Sequence, residues 1–414
     1  MKEERFVENT RGKKIISSAQ LAEILKDRDR RILRIEQVTE VMQKLNNART
    51  DEEYKSISIP DEFRKFGKYA IFAMKGYVSG FAMADNDGTP RCYYGNMGSL
   101  TELLMPTLYR GELSDFGPTS GLSLLGRKIA MEHQDEEARY THFFLEQINR
   151  LLFGNFLLLF RQYREFPFGM PIDGAIAQHY GLNTQFLDLT DDIKVALFFA
   201  SCKHTENNKY RPIRADEIDH LGKYGVIYVG THKHASIIGY QPFTRCHRQR
   251  GYYLDTAGGS PCWNFGLTPE NGFDKYYFER TVEFSEWICK EFDGGKKLFP
   301  EDGLYPFHKE IRKIMDTKIL PYGAVQMAYQ AVRRYLEYYH DNKHMNNRLY
   351  NMMQDQTYWE EQLRKEGYEF CDRFHLDVER VLINQLNDQW DPVKFAQQEG
   401  IYYTPFTIIP AVDG

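Results

Sequence analysis

Gln178-His179-Tyr180-Gly181-Leu182-Asn183-Thr184-Gln185-Phe186-Leu187-Asp188-Leu189-Thr190 leads, through Asp191-Asp192, into Val195-Ala196-Leu197-Phe198-Phe199-Ala200. A polar corner, a strand bearing Asp and Thr, and an apolar helix thus follow one another with almost no spacer. A short helix over 174–180 is expected before the corner. Asp191 and Asp192 stand where acidic side chains favour a helix N-terminus. So many hydrogen-bonding side chains are unusual for plain core. They form either a ligand site or a satisfied buried network in which Asp188 and Thr190 cap the following helix.

Two other segments carry comparable information. Leu108-Tyr109-Arg110-Gly111-Glu112 reads as a short strand ending in an Arg followed by Gly. Arg offers a planar fork of donors suited to phosphate, and a glycine lets a ligand approach the backbone. The alternative is an Arg paired with a carboxylate such as Asp188. Phe243-Thr244-Arg245-Cys246-His247-Arg248-Gln249-Arg250-Gly251-Tyr252-Tyr253-Leu254 is a basic cluster expected on a strand, with Gln249 in its middle. Its alternative is an exposed basic face.

Further out, Ser18 is expected to cap a helix over 19–26, with Leu21, Ile24 and Leu25 at one-face spacing and 32–41 continuing the pattern. Residues 69–84 and 91–95, separated by the turn signal Asp85–Thr89, read as a pair of strands. A long helical stretch is expected over 122–166, a strand over 223–230, and helices over 325–339 and 359–365. These elements predict an α+β chain of three parts: an N-terminal helical unit over 1–60, an α+β domain over 61–322, and a C-terminal helical unit over 323–414.

The 414 residues carry 53 Lys+Arg against 58 Asp+Glu, a formal charge of −5 that argues against a dedicated nucleic-acid binder. Ordinary apolar and charged fractions (42% and 27%) exclude a disordered, collagen-like or membrane-bundle chain. No apolar run approaches the ~20 residues that span a bilayer. The opening MKEERFVENTRGKK lacks an apolar leader core, and the six cysteines form no CxxC pair. A soluble, cytoplasmic, reduced protein without membrane contact is expected. The paired tyrosines (for example Tyr252-Tyr253) read as core and interface packing, with ligand stacking the alternative.

Gly121–Lys128, GLSLLGRK, narrowly misses the phosphate loop GxxxxGK[ST]: Arg127 replaces the Lys and Lys128 the hydroxyl. His232 and His234 have no third ligand at standard spacing, so no metal is expected.

In order along the chain, the three polar segments resemble the FRG domain family, named for its (Phe/Tyr)-Arg-Gly motif, here Tyr109-Arg110-Gly111. The family's second block, QHYGLPTRLLDWT followed by an ALFFA-like helix, is matched by QHYGLNTQFLDLT and ALFFA. Asn183, Gln185 and Leu189 depart from the usual Pro, Arg and Trp. The third block, Arg…Gln-x-Gly-x-Phe, is matched by Arg245…Gln249-Arg250-Gly251-Tyr252. The resemblance covers about 108–320 and implies a setting in bacterial defence against phage, or a toxin-like one. A second resemblance is to ADP-ribosyltransferases, which place an Arg at the end of their first core strand, then a polar strand running into an apolar helix, then a Glu-bearing strand. It implies a small split sheet, NAD as substrate, and a protein or nucleic acid as acceptor.

Breaking the nicotinamide–ribose bond of NAD develops an oxocarbenium-like cation, as in glycoside hydrolysis. Under the resemblance Arg110 would hold phosphate and the Gly111 backbone would meet the nicotinamide amide. Thr190 would orient Arg110 or its strand, Tyr180 or Tyr252 would stack on the base, and Gln249 would bond the ribose. Tyr109, Gln178 and His179 complete the expected cofactor-binding set. A Gln cannot supply the negative charge that stabilises the cation, so Asp188, Glu112, Glu279 or Glu283 must, the last two sharing a face if 276–284 is a strand. Two readings follow: an ADP-ribosyltransferase or NAD glycohydrolase, and a non-catalytic sensor that binds a nucleotide or a protein.

Overall fold

A computed structural model describes residues 9–10, 13–29, 50–56, 70–74, 77–84, 90–94, 107–117, 120–122, 127, 144–145, 147–148, 173–179, 184, 186–205, 209–221, 223–231, 235–238, 245–255, 266–300, 318–341 and 347–372. Strands β1 (Asn9–Thr10) and β2 (Lys13–Ile16) open the chain, followed by helix α1 over 18–29 and α2 (Asp51–Ser56). Three antiparallel strands, β3 (Ala70–Met74), β4 (Tyr77–Ala84) and β5 (Pro90–Tyr94), stand where a strand pair was expected.

The FRG-like region then supplies β6 (Leu108–Glu112), α3 (Asp173–His179), β7 (Phe186–Thr190), α4 (Ile193–Ser201), β8 (Cys202–His204), β9 (Tyr210–Pro212), α5 (Ala215–Leu221) and β10 (Tyr224–Gly230). Next come β11 (Ser236–Ile237), α6 (Arg245–Arg248), β12 (Gly251–Asp255), β13 (Phe273–Glu279) and α7 (Val282–Glu291). The chain continues through β14 (Ile319–Pro321), α8 (Tyr322–Asp341), α9 (Asn347–Met353), α10 (Gln356–Lys365) and β15 (Glu369–Cys371). This mixture is the α+β class expected. The helical stretch expected over 122–166 lies largely outside the described residues, as do 30–49, His232 and His234.

Among the described residues, eight strands form one sheet in the order β1-β2-β13-β10-β6-β7-β12-β11, larger than the small sheet expected. Only β2 and β13 run parallel. Strand β6 shares five register pairs with β10, and β7 shares five with β12. Between β6 and β7 there is one, Tyr109↔Thr190. The sheet is therefore two well-paired halves joined at a single position.

Period-two alternation sorts the side chains onto two faces. Leu108, Leu187, Leu189, Val226, Tyr228, Tyr252 and Phe273 pack together on one. On the other, Tyr109, Ile227, Tyr276 and Phe278 meet α4, α7 and the apolar stripe Leu21 and Ile24 of α1. The first residues thus contribute a strand and a helix to this layer. Ser17 caps α1, one residue before the expected Ser18: Gln20 N–H donates to its hydroxyl at 3.3 Å, and Ser17 N–H donates to Gln20 Oε1 at 2.8 Å. Arg28 closes the contact, donating from Nε to Asp192 Oδ1 at 2.7 Å and from Nη2 to Oδ2. Asp192 is also the N-cap of α4, accepting from Lys194 N–H at 2.9 Å.

A separate core gathers α8, α9 and α10 around Trp359, which stacks on Phe144 at 4.5 Å. Among the described residues no helix is long and apolar enough to cross a membrane.

Candidate functional site

Leu108, Arg110 and Glu112 share the face of β6 that carries Val226 and Tyr228, while Tyr109 and Gly111 face α4. A Cβ on Gly111 would lie 1.7 Å from the Ala196 carbonyl oxygen. The missing side chain therefore lets α4 sit directly on β6. The space expected for a ligand at this glycine is filled, on the α4 side, by the helix backbone.

Glu112 is buried and takes four donors. Arg110 Nε donates at 3.3 Å, Ser120 Oγ at 2.7 Å, Gly121 N–H at 3.1 Å, and Arg127 Nη2 more closely still. Arg110 Nη1 donates to the Asp188 carbonyl at 2.9 Å, across the place where β6 and β7 part. The structure contains the carboxylate pairing raised as the alternative for Arg110, with a different partner. Arg110 pairs with a carboxylate, that of Glu112, and it reaches Asp188 through the backbone. Its side chain remains 15% exposed.

On the opposite face, the Asp188 side chain is 35% exposed, and its Oδ1 stands 3.8 Å from His179 Nε2. That distance is too long for a hydrogen bond, and both atoms are buried without a hydrogen-bond partner among the described residues. Burial holds the His179 pKa below the usual imidazole value, as does the nearby Arg245 charge. Asp188 and a hydrogen bond with Gln249 oppose that shift without reversing it. His179 is therefore neutral near pH 7.

The third block departs from expectation. Arg245–Arg248 is a helical turn, Gln249 and Arg250 form a turn, and the strand begins only at Gly251. The backbone of Arg250 is left-handed (φ 51°), and its guanidinium forms a buried pair with Asp191 at 2.6 Å, which fixes the turn. Arg245, fully buried, donates to the His179 carbonyl at 3.1 Å. Gln249 is consequently built into the interior, its amide donating to the Leu298 carbonyl at 3.1 Å. Thr190 Oγ1 donates to the Gln249 carbonyl at 2.8 Å and accepts from Asp192 N–H at 3.1 Å. The cap of α4 weighed for Asp188 and Thr190 is supplied by Asp192 instead, and the Thr190 hydroxyl ties the turn before that cap to Gln249.

The remaining expected residues divide. Tyr109 is half-buried beside α4, while Tyr252 is buried on the face away from Asp188, between Leu189 and the sheet core. Gln178 Oε1 accepts the Thr184 hydroxyl. Tyr180 lies outside the described residues. Glu279 ends β13, exposed and paired with Lys223, and Glu283 is in the first turn of α7. The expected shared strand face for these two acids is interrupted at Arg280, so neither approaches Arg110 in register. Sequence reasoning missed Arg28, the Arg127–Glu112 contact and the Asp191–Arg250 pair. No local pattern marks them, because each partner is distant in the chain.

Residues 106–209 match the family model for the FRG domain, about a quarter of the chain. An FRG domain is therefore present. The matched span contains Arg110, the 178–190 block and α4, and it ends before Gln249. No curated protein and no solved structure matches the chain.

Proposed function

We propose that the FRG domain handles a nucleotide of the NAD type where β6 and β7 part, and that it cleaves the nicotinamide–ribose bond. The observation that supports this most is the meeting of Arg110 with Asp188 across a junction held by one register pair. The guanidinium meets the Asp188 backbone carbonyl, and the Asp188 carboxylate, 35% exposed, stands on the adjacent strand at the opposite face of the sheet.

In the reaction the C1′–N bond breaks with its electron pair leaving on the nicotinamide ring nitrogen. A lone pair from water, or from a protein or nucleic-acid acceptor, then bonds C1′, and the acceptor loses a proton. Asp188 is the catalytic carboxylate of this reading, opposing the cation that develops at C1′. At an effective dielectric of about 20, a charge ~4 Å away contributes about 4 kcal/mol, or roughly three decades of rate. Neutral His179 lies behind it, with Nε2 3.8 Å from Oδ1. Draining NAD in this way would suit the defence or toxin setting that the FRG resemblance implies.

The test is release of nicotinamide from NAD by the purified chain. Asp188→Asn should lower the rate by about two to three decades, and Arg110→Lys should weaken NAD use through lost phosphate geometry. Full activity in Asp188→Asn would refute the assignment. A second reading, a non-catalytic sensor that binds a nucleotide or protein, is favoured by Thr190 and Gln249 being engaged in internal bonds. NAD binding without nicotinamide release would select it.

A further inference from the structure

Two guanidiniums converge on one oxygen of Glu112. Arg110 Nε and Arg127 Nη2 both bond Oε1, while Oε2 accepts the Ser120 hydroxyl at 2.7 Å and Gly121 N–H at 3.2 Å. Among the described residues two cations share this one anion, an excess of one positive charge within the trio. It is not sealed, since the Arg110 and Arg127 side chains are each 15% exposed. One donor is also left over. Arg127 Nε is buried without a hydrogen-bond partner among the described residues.

The surroundings hold both forks in place. The Arg127 guanidinium lies 4.5 Å from the centre of the Phe116 ring, itself 44% exposed. Burial holds the Arg127 pKa below its ordinary value, and the repulsion of Arg110 adds to this against the pull of Glu112. Such a group gains from a second anion. A phosphoryl group is the fitting one, because it offers several acceptor oxygens to planar donor forks.

We infer that Arg127 joins Arg110 in binding a phosphoryl group of the nucleotide, beside the exposed ring of Phe116, with Glu112 as the internal anion that keeps the two forks together. This rests on the reading that the ligand carries a pyrophosphate, and it adds a residue from the GLSLLGRK segment. From that segment, Gly121 N–H and the Arg127 charge join the cluster.

Inorganic pyrophosphate is the probe, followed by calorimetry and by the melting temperature of the full chain. Pyrophosphate should bind and raise the melting temperature, and Arg127→Ala should weaken binding roughly tenfold or more. Arg127→Lys should weaken it less, and it gives the same reading if the alanine variant does not fold. Glu112→Gln removes the internal anion, so pyrophosphate should protect that variant more than the wild type. Unchanged affinity in both Arg127 variants, or no pyrophosphate binding at all, would overturn the inference. Arg127-dependent binding in a chain that never releases nicotinamide would uphold it while removing the NAD-cleaving reading. Nicotinamide release with binding indifferent to Arg127 would do the reverse.

Discussion

Replacing Gly111 by alanine should force β6 and α4 apart. The added carbon would lie 1.7 Å from the Ala196 carbonyl oxygen, 2.7 Å from its carbon and 3.0 Å from Ala200 N. An ordinary contact begins at 3.4 Å, so the helix must retreat by about 1.7 Å at its closest point. Overpacking by one methyl costs about 1–3 kcal/mol where side chains can give way. Here the obstacle is helix backbone, and α4 carries seven buried residues from Ile193 to Ser201 that would be drawn from their contacts. A loss of about 3 kcal/mol or more is expected, against a typical total of about 5–15. Urea unfolding followed by circular dichroism measures it. Gly323→Ala is the control, since its Cβ would meet nothing within 4 Å. A Gly111→Ala protein within about 0.5 kcal/mol of wild type would refute the packing argument. If such a protein also lost nicotinamide release, the glycine would belong to a ligand after all.

Arg28→Ala should strand the buried Asp192 carboxylate and loosen α1, losing about 3–5 kcal/mol and admitting protease near residues 17–29; unchanged protection there would contradict it. Thr190→Val keeps the shape but leaves Asp192 N–H and the Gln249 carbonyl without their hydroxyl, so unfolding free energy should drop by about 1–3 kcal/mol. Because the folded pKa of His179 is depressed, the unfolded chain binds the extra proton first, and stability should fall as pH drops from about 6.5 toward the folded value. His179→Gln should flatten that part of the profile, and an identical slope in the variant would show that other groups set it. Burial alone would raise the Asp192 pKa, but the hydrogen bond and charge of Arg28 outweigh it and leave it lowered. Its stabilising contribution is then present above about pH 4 and lost on further acidification through the folded value; Arg28→Ala should move acid unfolding to higher pH.

What the sequence determined by itself is local. The strand of Asp188 and Thr190, the apolar helix behind Asp192, the short strand that carries Arg110 (which runs on to Glu112 instead of ending at the Arg) and the order of the FRG blocks all depend on alternation, capping and spacing within about a dozen residues. Tertiary structure decided which neighbours those residues have. It put Arg110 and Thr190 on adjacent strands with side chains on opposite faces, turned the expected strand around Gln249 into a helical turn, and filled the space at Gly111 with a helix. It also brought Arg127 to Glu112, Arg250 to Asp191 and Arg28 to Asp192, the last across 164 residues of chain. A charged side chain takes whichever opposite charge folding leaves beside it in a poorly screened interior, and no periodicity in the chain encodes that choice.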